Sequence, residues 1–561
     1  MAFRLDGQIN GQVNQLNFKQ FIVSLKNSTT IRLNGNLNGL PQTESLSYNF
    51  KEITVKTTAK DLHHLLPKNT IPSNIHLPNA MKLAIRGKGS MNKMDANVDF
   101  SSSLGDLQST ITFVQPKDTN QVASYQLNTE IPAFDLGGLL QDSLLGSFGF
   151  KGTIEGSGLS LEEIEMNVDA TIKDFEYANY QYSDLIIDGK LQDEAFEGNI
   201  QMNDSNLAFD FSGKAELDSI NPEFDFIFNL EGADFQHLGI IEEDYRASGK
   251  LAANFSGNSL EKLNGKVSLS ELFIIHQEKQ YRLDSLVLTS AIDSGKTDLS
   301  IQSDLLDATF KGNVNLADLA ESIQEHLRNR FSDSTAHLSQ VAQNFIFNVD
   351  VKETELITDI LLPDLNHFQA GKIGGQYDNQ RDILFLEANF PSIDYDGLKI
   401  DSIHLFSESD TTRKNISAGF TVRRISYDTL SIENVKFQGD LNQRKEATLS
   451  LQLLDELSES LFQLKGTLQR AKEHYHFHFS EKEQIFNGET WEVPASNEVR
   501  FGDSLFIDQL SFSNNNQSIN LQTIEQYHEI SFSDFKLASL FNLVRKNSGS
   551  VGEMASNFDE F

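Results

Sequence analysis

The sequence predicts a mainly β fold: an elongated, curled β-sheet that repeats along its length as a groove, with short helical crossovers and one longer helical insertion. Three observations predict it. The segment Ile393-Asp-Tyr395-Asp-Gly-Leu398-Lys-Ile400-Asp-Ser-Ile403-His-Leu405 returns 32 residues later as Ile425-Ser-Tyr427-Asp-Thr-Leu430-Ser-Ile432-Glu-Asn-Val435-Lys-Phe437. Such a repeat marks a chain that adds one β unit to the next and gains length instead of a single compact core. Apolar and polar residues alternate in Leu207-Ala-Phe209-Asp-Phe211 and Phe224-Asp-Phe226-Ile-Phe228-Asn-Leu230, the period of a strand with one covered face. Phe occurs 41 times and Pro only ten times in 561 residues, which favours strands over disorder.

A longer repeat aligns Gly158-Leu-Ser160-Leu161-Glu162 with Gly257-Asn-Ser259-Leu260-Glu261 at an offset of 99 residues, which also pairs Val168 with Val267, Tyr182 with Tyr281 and Gly213 with Gly312. Residues 1–546 therefore read as one repetitive body with modules of roughly 75–100 residues. An octad with apolar residues at positions one, three, six and eight occurs at 16–23, 180–187, 281–288, 398–405, 430–437 and 505–512. In a two-residue hairpin the flanking residues face each other, so Tyr395 and Leu398 share a face around Asp396-Gly397, as do Ile393 and Ile400. A second turn at Asp401-Ser402 would leave too short a strand, so a bulge there returns Ile403 and Leu405 to the inner face.

Between strand blocks, Asp61-Leu62-His-His-Leu65, Asp135-Leu136-Gly-Gly-Leu139 and Asp234-Phe235-Gln-His-Leu238, with looser relatives at Asp318 and Asp534, read as helical crossovers joining successive sheets, each capped by its Asp. The helical insertion spans about 318–341 and breaks near Arg330. Pro67 to Pro78 reads as a loop, and 547–561 as a disordered polar tail.

Too few amphipathic helices exist to cover so many one-faced strands. The sheet must close on its own side chains or leave a trough for a ligand, and the Phe content favours the trough. The inward octad positions give the candidate lining: Phe18, Phe21, Val23, Tyr182, Leu185, Ile187, Leu283, Leu286, Leu288, Ile400, Ile403, Leu405, Ile432, Val435, Phe437, Ile507, Leu510 and Phe512.

Asp and Glu outnumber Lys and Arg by 80 to 46, for a net charge of −34. That field repels phosphate backbones, so no nucleic-acid partner is expected. There is no cysteine, which removes disulfides, thiolate metal sites and Cys nucleophiles. No apolar run long enough to span a bilayer and no leader stand out.

The Gly-bounded strand blocks, the phrase Ile131-Pro-Ala-Phe134-Asp-Leu136-Gly-Gly-Leu-Leu140, and Gly152-Thr-Ile-Glu-Gly-Ser-Gly158 ahead of Leu161-Glu resemble the TamB family of the AsmA-like superfamily, in its Bacteroidota form. The resemblance runs from about Phe3 to Leu543. It implies a non-enzymatic periplasmic conduit that shields phospholipid acyl chains between inner and outer membranes. It also implies an inner-membrane anchor and a C-terminal domain that meets an outer-membrane barrel protein. Neither end is recognisable here, so the chain is expected to be an interior segment of such a protein. The alternatives are a scaffold for outer-membrane protein assembly and secretion, and a surface β-solenoid adhesin.

No enzyme, cofactor or metal is expected. His474-Tyr-His476-Phe-His478 places three imidazoles on one strand face, as a zinc or nickel site would need. The same alternation turns Tyr475, Phe477 and Phe479 inward and makes the histidines a solvated outer side; His63-His64 is likewise surface. Gly87-Lys-Gly89, Gly156-Ser-Gly158 and Gly374-Gly375 lack the helix and third glycine of a nucleotide loop and read as bends and strand ends. Glu162-Glu163 and Glu242-Glu243-Asp244 lack the calcium-loop pattern. No Gly-x-Ser-x-Gly elbow or His-Glu-x-x-His helix occurs.

Overall fold

The computed structural model describes residues 3–534 and 545–546, except 26–27, 68–69, 73, 117–121, 159–162, 217–219, 260–261, 294, 314–322, 324–341, 411–414, 429, 443–445, 456, 472–473, 503 and 526. The fold is mainly β, 73% strand and 5% helix, and its antiparallel sheet is not closed into a barrel. The helical insertion at 318–341, Ile323 apart, and the tail at 547–561 lie outside the described residues. The chain divides into two units, Met1–Asn258 with Lys266–Arg282 and Ser259–Gly265 with Leu283–Phe561.

In the first unit, fifteen strands from Phe3–Gln12 to Tyr245–Ser256 follow one another in chain order. Each pairs antiparallel with the strand before it. The Asp-led elements have a different job from the one expected. Helix Ala59–Leu65 lies between Ser47–Thr57 and Met81–Ser90, which pair directly, and Leu136–Leu140 lies between Ser124–Asp135 and Leu145–Ser157, which also pair. They are long hairpin connections within one meander, not bridges from sheet to sheet.

Capping follows the chemistry in two cases of three. The Gly138 amide donates to Asp135 Oδ1 at 2.8 Å and the His237 amide to Asp234 Oδ1 at 3.0 Å, satisfying amides that a helical turn leaves free. In the third case Thr58 is the cap. Asp61, buried inside the helix, accepts from Thr29 Oγ1 at 2.9 Å and ties the helix to the strand Thr29–Asn38.

In the second unit, strands pair in order from Lys296–Ser303 to Ser460–Ala471, with Leu365–Phe368 added beside the end of Ile383–Tyr395. Past Ser460–Ala471 the sheet forks, because His474–Phe479 and Gln484–Phe486 both pair with that strand. A separate three-stranded sheet follows, Leu510–Asn514, Gln517–Ile524 and Tyr527–Ser533. Between them sits a closed core of Trp491, Val493, Ile507, Leu510, Phe512 and Ile519, with Phe486 rings 5.3 Å from both Trp491 and Phe512.

The octad has a backbone meaning. Its fifth residue takes a left-handed conformation at Gln20 (φ 48°), Asp184 (φ 50°), Ser402 (φ 54°), Asn434 (φ 51°) and Gln509 (φ 48°). A left-handed residue interrupts the pleat, so the apolar spacing changes from two to three at that point. The expected irregularity at Ser402 is present, but register is kept: the pairing skips Pro391, Ser402, Arg423 and Asn434, which lie opposite one another on four strands. The bend is therefore shared by the strands and is not an extra residue in one of them.

A candidate apolar groove

Register partners place Ile9, Phe18, Gly35, Phe50, Gly87, Ala96, Ile111, Leu127, Ile154, Val168, Gly189, Gly198, Gly213, Phe226 and Ala253 in one row across the fifteen strands of the first unit. No member of that row carries a polar side chain. The row two residues away, from Leu16 through Leu37, Tyr48, Gly89, Met94 and Phe113 to Phe224 and Phe255, adds only tyrosine hydroxyls. On the other side lies the row Leu33, Ile53, Ile85, Val98, Ser109, Thr129. Its two hydroxyls bond each other at 2.8 Å, so even the polar step demands nothing from solvent.

The intervening residues form the opposite surface. Asn17, Asn36, Asn49, Lys88, Asp95 and Thr112 continue in register to Asp225 and Asn254 without an apolar residue. Cross-strand pairs such as Lys190–Glu165 at 2.6 Å and Arg86–Asp99 at 3.4 Å lie on that side. They are well exposed, so they contribute solubility more than stability.

The apolar face is only partly covered. Of the long row, Gly35, Ala96 and Ala253 are buried, Ile9 is exposed, and the rest are half-buried. Its rings meet rings of the same sheet: Phe211 and Phe226 at 5.2 Å, Phe209 and Phe228 at 5.2 Å, Phe224 and Phe255 at 4.8 Å. Among the described residues of this unit, every aromatic pair joins rings on one strand or neighbouring strands, except Phe18 and Phe50, which meet at 6.3 Å across Gly35.

The glycines are a part of the lining that the sequence reading missed. Gly87, Gly89 and Gly156 stand within strands on the apolar rows, and Gly374 and Gly375 within Gly371–Asp378; only Gly158 is a strand end. A ring occupies the space a side chain would take: a Cβ on Gly189 would lie 2.6 Å from the Phe196 ring and one on Gly375 2.7 Å from the Phe347 ring. The available signal was a mid-strand glycine flanked by apolar residues at i±2.

The second unit repeats the arrangement. Leu288, Ile301, Ala308, Val349, Ile373, Ala388, Leu405, Phe420, Phe437, Leu451 and Leu464 form one row. Phe390, Ile403, Val422, Val435, Leu453 and Phe462 form the next.

The candidate lining residues are thereby placed. Phe18, Phe21, Val23, Leu185, Ile187, Leu286, Leu288, Ile400, Ile403, Leu405, Ile432 and Phe437 are half-buried, and Tyr182, Leu283 and Val435 are buried. Ile507, Leu510 and Phe512 lie in the closed Trp491 cluster. Gln509 turns the chain from Leu505–Asp508 in the large sheet to Leu510–Asn514 in the small one.

Asp204 braces the bend at Asp184. Its Oδ2 accepts from the Ser183 amide at 3.1 Å and hydroxyl at 2.9 Å, and its Oδ1 from the Tyr180 hydroxyl at 2.5 Å and the Asn206 amide at 2.9 Å. Burial pushes this carboxyl upward, but the hydrogen bonds from Tyr180, Asn206 and Ser183 outweigh it and hold it below the usual range. In the second unit Asp304 Oδ2 accepts from the Asp284 and Ser285 amides at 2.7 and 3.2 Å, a similar contact at the 281–288 octad, whose fifth residue, Ser285, does not take the left-handed conformation.

The histidine strand holds no ligand cage. His476 Nδ1 contacts Glu498 Oε1 at 2.6 Å and His478 Nδ1 contacts the Asn497 carbonyl at 2.6 Å. The His476 bond is the main reason the Glu498 carboxyl is held below its usual range. Among the described residues no group of three His, Asp or Glu could hold a metal ion, and no helix is long and apolar enough to cross a membrane. No protein-family model, curated protein or solved structure matches the chain.

Proposed function

We propose that this protein is a non-enzymatic conduit for phospholipid acyl chains, acting in the periplasm between two membranes as the resemblance to TamB implies. The observation that carries the reading is the unbroken apolar row across fifteen strands. At about 4.8 Å per strand the row is about 65–70 Å along its contour. The hydrocarbon core of a whole bilayer, two acyl chains deep, is about 30 Å. A single-ligand pocket has no use for a strip several acyl chains long, whereas a path along which tails slide requires one. Each methylene exposed to water costs about 0.8 kcal/mol, so a tail of about 16 carbons needs continuous cover on the order of 10 kcal/mol.

The test is lipid extraction and mass spectrometry of the purified protein, followed by reloading with phospholipid. Bound phospholipid is expected in the unmodified protein. Ile187→Asp and Leu405→Asp, at half-buried sites on apolar rows, are expected to lower the amount bound at least tenfold, because the carboxylate must lose water when hydrocarbon arrives. Asn167→Asp, on the polar face, is expected to change nothing. A folded protein that neither carries nor takes up lipid overturns the proposal.

A further inference from the structure

We infer that the hairpin rim built by Tyr395, Leu398, Tyr427 and Leu430 is the lateral mouth through which a lipid's acyl chain enters the groove, an inference that rests on the conduit reading. The four residues are successive register partners, Tyr395 with Leu398, Leu398 with Tyr427, and Tyr427 with Leu430. They are exposed at 51, 36, 60 and 56% respectively.

Apolar contact is continuous from this rim inward. The next row, Ile393, Ile400, Ile425 and Ile432, is half-buried, and beyond the shared bend come Val422 and Val435, 3 and 7% exposed. Two steps along the strands thus lead from exposed hydrocarbon to a row in which Val422 and Val435 are covered and Phe390 and Ile403 half-buried, the gradient a sliding tail would follow.

The same construction recurs at other bends. Tyr177, 45% exposed, stands opposite Tyr180, and Phe501 and Leu505, 39 and 45% exposed, stand opposite each other. An aromatic on the incoming strand and an apolar or aromatic residue on the outgoing one therefore flank several hairpins whose outgoing strand bends. A cross-strand pair of this kind also strengthens its own hairpin, but that role does not need the pairs of adjacent hairpins to merge into one stripe.

Charge at this rim has both signs: its turns carry Asp364, Asp396 and Asp428, and Lys546 and Arg545 pair with Leu430 and Ser431, so it is the four-residue apolar stripe between them that favours a tail. Tyrosine suits a boundary with one wet end and one apolar end.

The test measures the transfer of a phospholipid with a fluorescent tail from phosphatidylcholine vesicles to the intact chain. Tyr427→Asp combined with Leu430→Asp is expected to slow filling by at least about tenfold while the amount finally bound stays within about twofold of the unmodified protein. Leu405→Asp is expected to lower the final amount. Tyr427→Ser with Leu430→Thr keeps the strand character should the double aspartate misfold, and the same slowing is expected of it. Filling of a folded rim variant at the normal rate, with Leu405→Asp still deficient, overturns the mouth and leaves the groove standing. Failure of every protein to fill overturns the groove itself. Slow filling that matches an equal loss of vesicle co-sedimentation also overturns the mouth, because the rim would then be a membrane-docking edge.

Discussion

Gly213→Ala isolates what the glycines do for the apolar face. Gly213 has φ 143°, a backbone conformation that side-chain-bearing residues rarely adopt. A Cβ built there would lie 2.3 Å from the Asp225 carbonyl oxygen and 2.5 Å from the Phe226 Cα. Both obstacles are backbone of the neighbouring strand, so no rotamer change relieves them. Backbone strain and overpacking together cost on the order of 2–5 kcal/mol. A long meander has no obligation to unfold as one unit, so the assay is local: native-state hydrogen exchange of the strands Leu207–Glu216 and Glu223–Asp234. At 1.36 kcal/mol per tenfold, their amides should exchange at least about 30-fold faster. Gly232→Ala is the control, because no atom lies within 4 Å of the added Cβ. Alanine there should be neutral or stabilising by about 0.5–1 kcal/mol. Equal exchange in the two variants would refute the claim that close backbone approach at Gly213 fixes this part of the sheet.

Two further outcomes follow from the bonded groups. Asp204 has a folded-state pKa below its unfolded value of 3.8, so its stabilisation is fully present above that value and is lost as pH falls through the lower folded pKa. Asp204→Asn should therefore cost about 1–3 kcal/mol at neutral pH, and the difference from the unmodified protein should shrink below about pH 4, read by hydrogen exchange or by denaturation against pH. Trp491→Ala should cost about 3–5 kcal/mol, confined to the region of the Trp491 cluster, and should leave lipid uptake unchanged if Ile507, Leu510 and Phe512 are packing residues and not lining; reduced uptake in a folded variant would return them to the groove.

Much of the fold was legible because the apolar alternation and the turn chemistry are local. The Asp396-Gly397 hairpin, the irregularity at Ser402 and the caps at Asp135 and Asp234 all depend on residues a few positions apart. The failures are long-range. That Asp61 would be taken by Thr29 depends on a partner 32 residues away, and Thr58 stood ready to cap instead. The octad itself could not say which sheet it belonged to: at 505–512 the same spacing serves a closed core, because Gln509 carries the chain out of the large sheet. Register was illegible too, so the rows that define the candidate groove appear only when strands separated by one to several dozen residues are set side by side.

The glycines decide how the apolar face can be used. In a two-layer core an inward glycine leaves space beneath the opposing layer, and such space is destabilising. Here the space is taken from the side: the Phe390 ring lies where a Gly371 side chain would be, at 2.2 Å, and the Phe477 ring where a Gly466 side chain would be, at 2.4 Å. Rings that fold over neighbouring glycines cover part of the sheet with the sheet's own residues and keep the face low. On the long row, itself half-covered, the Phe196 ring does this at Gly189, while a side chain at Gly87, Gly198 or Gly213 would meet the backbone of the neighbouring strand. The lining also sets what the face can bind, because the central row offers dispersion contacts along its whole length and no polar side chain to hold a guest at one point, the nearest hydroxyls standing on the rows beside it. On the conduit reading proposed above, a hydrocarbon chain would meet those terms along the row and a charged headgroup would not, so headgroups would stay outside the groove.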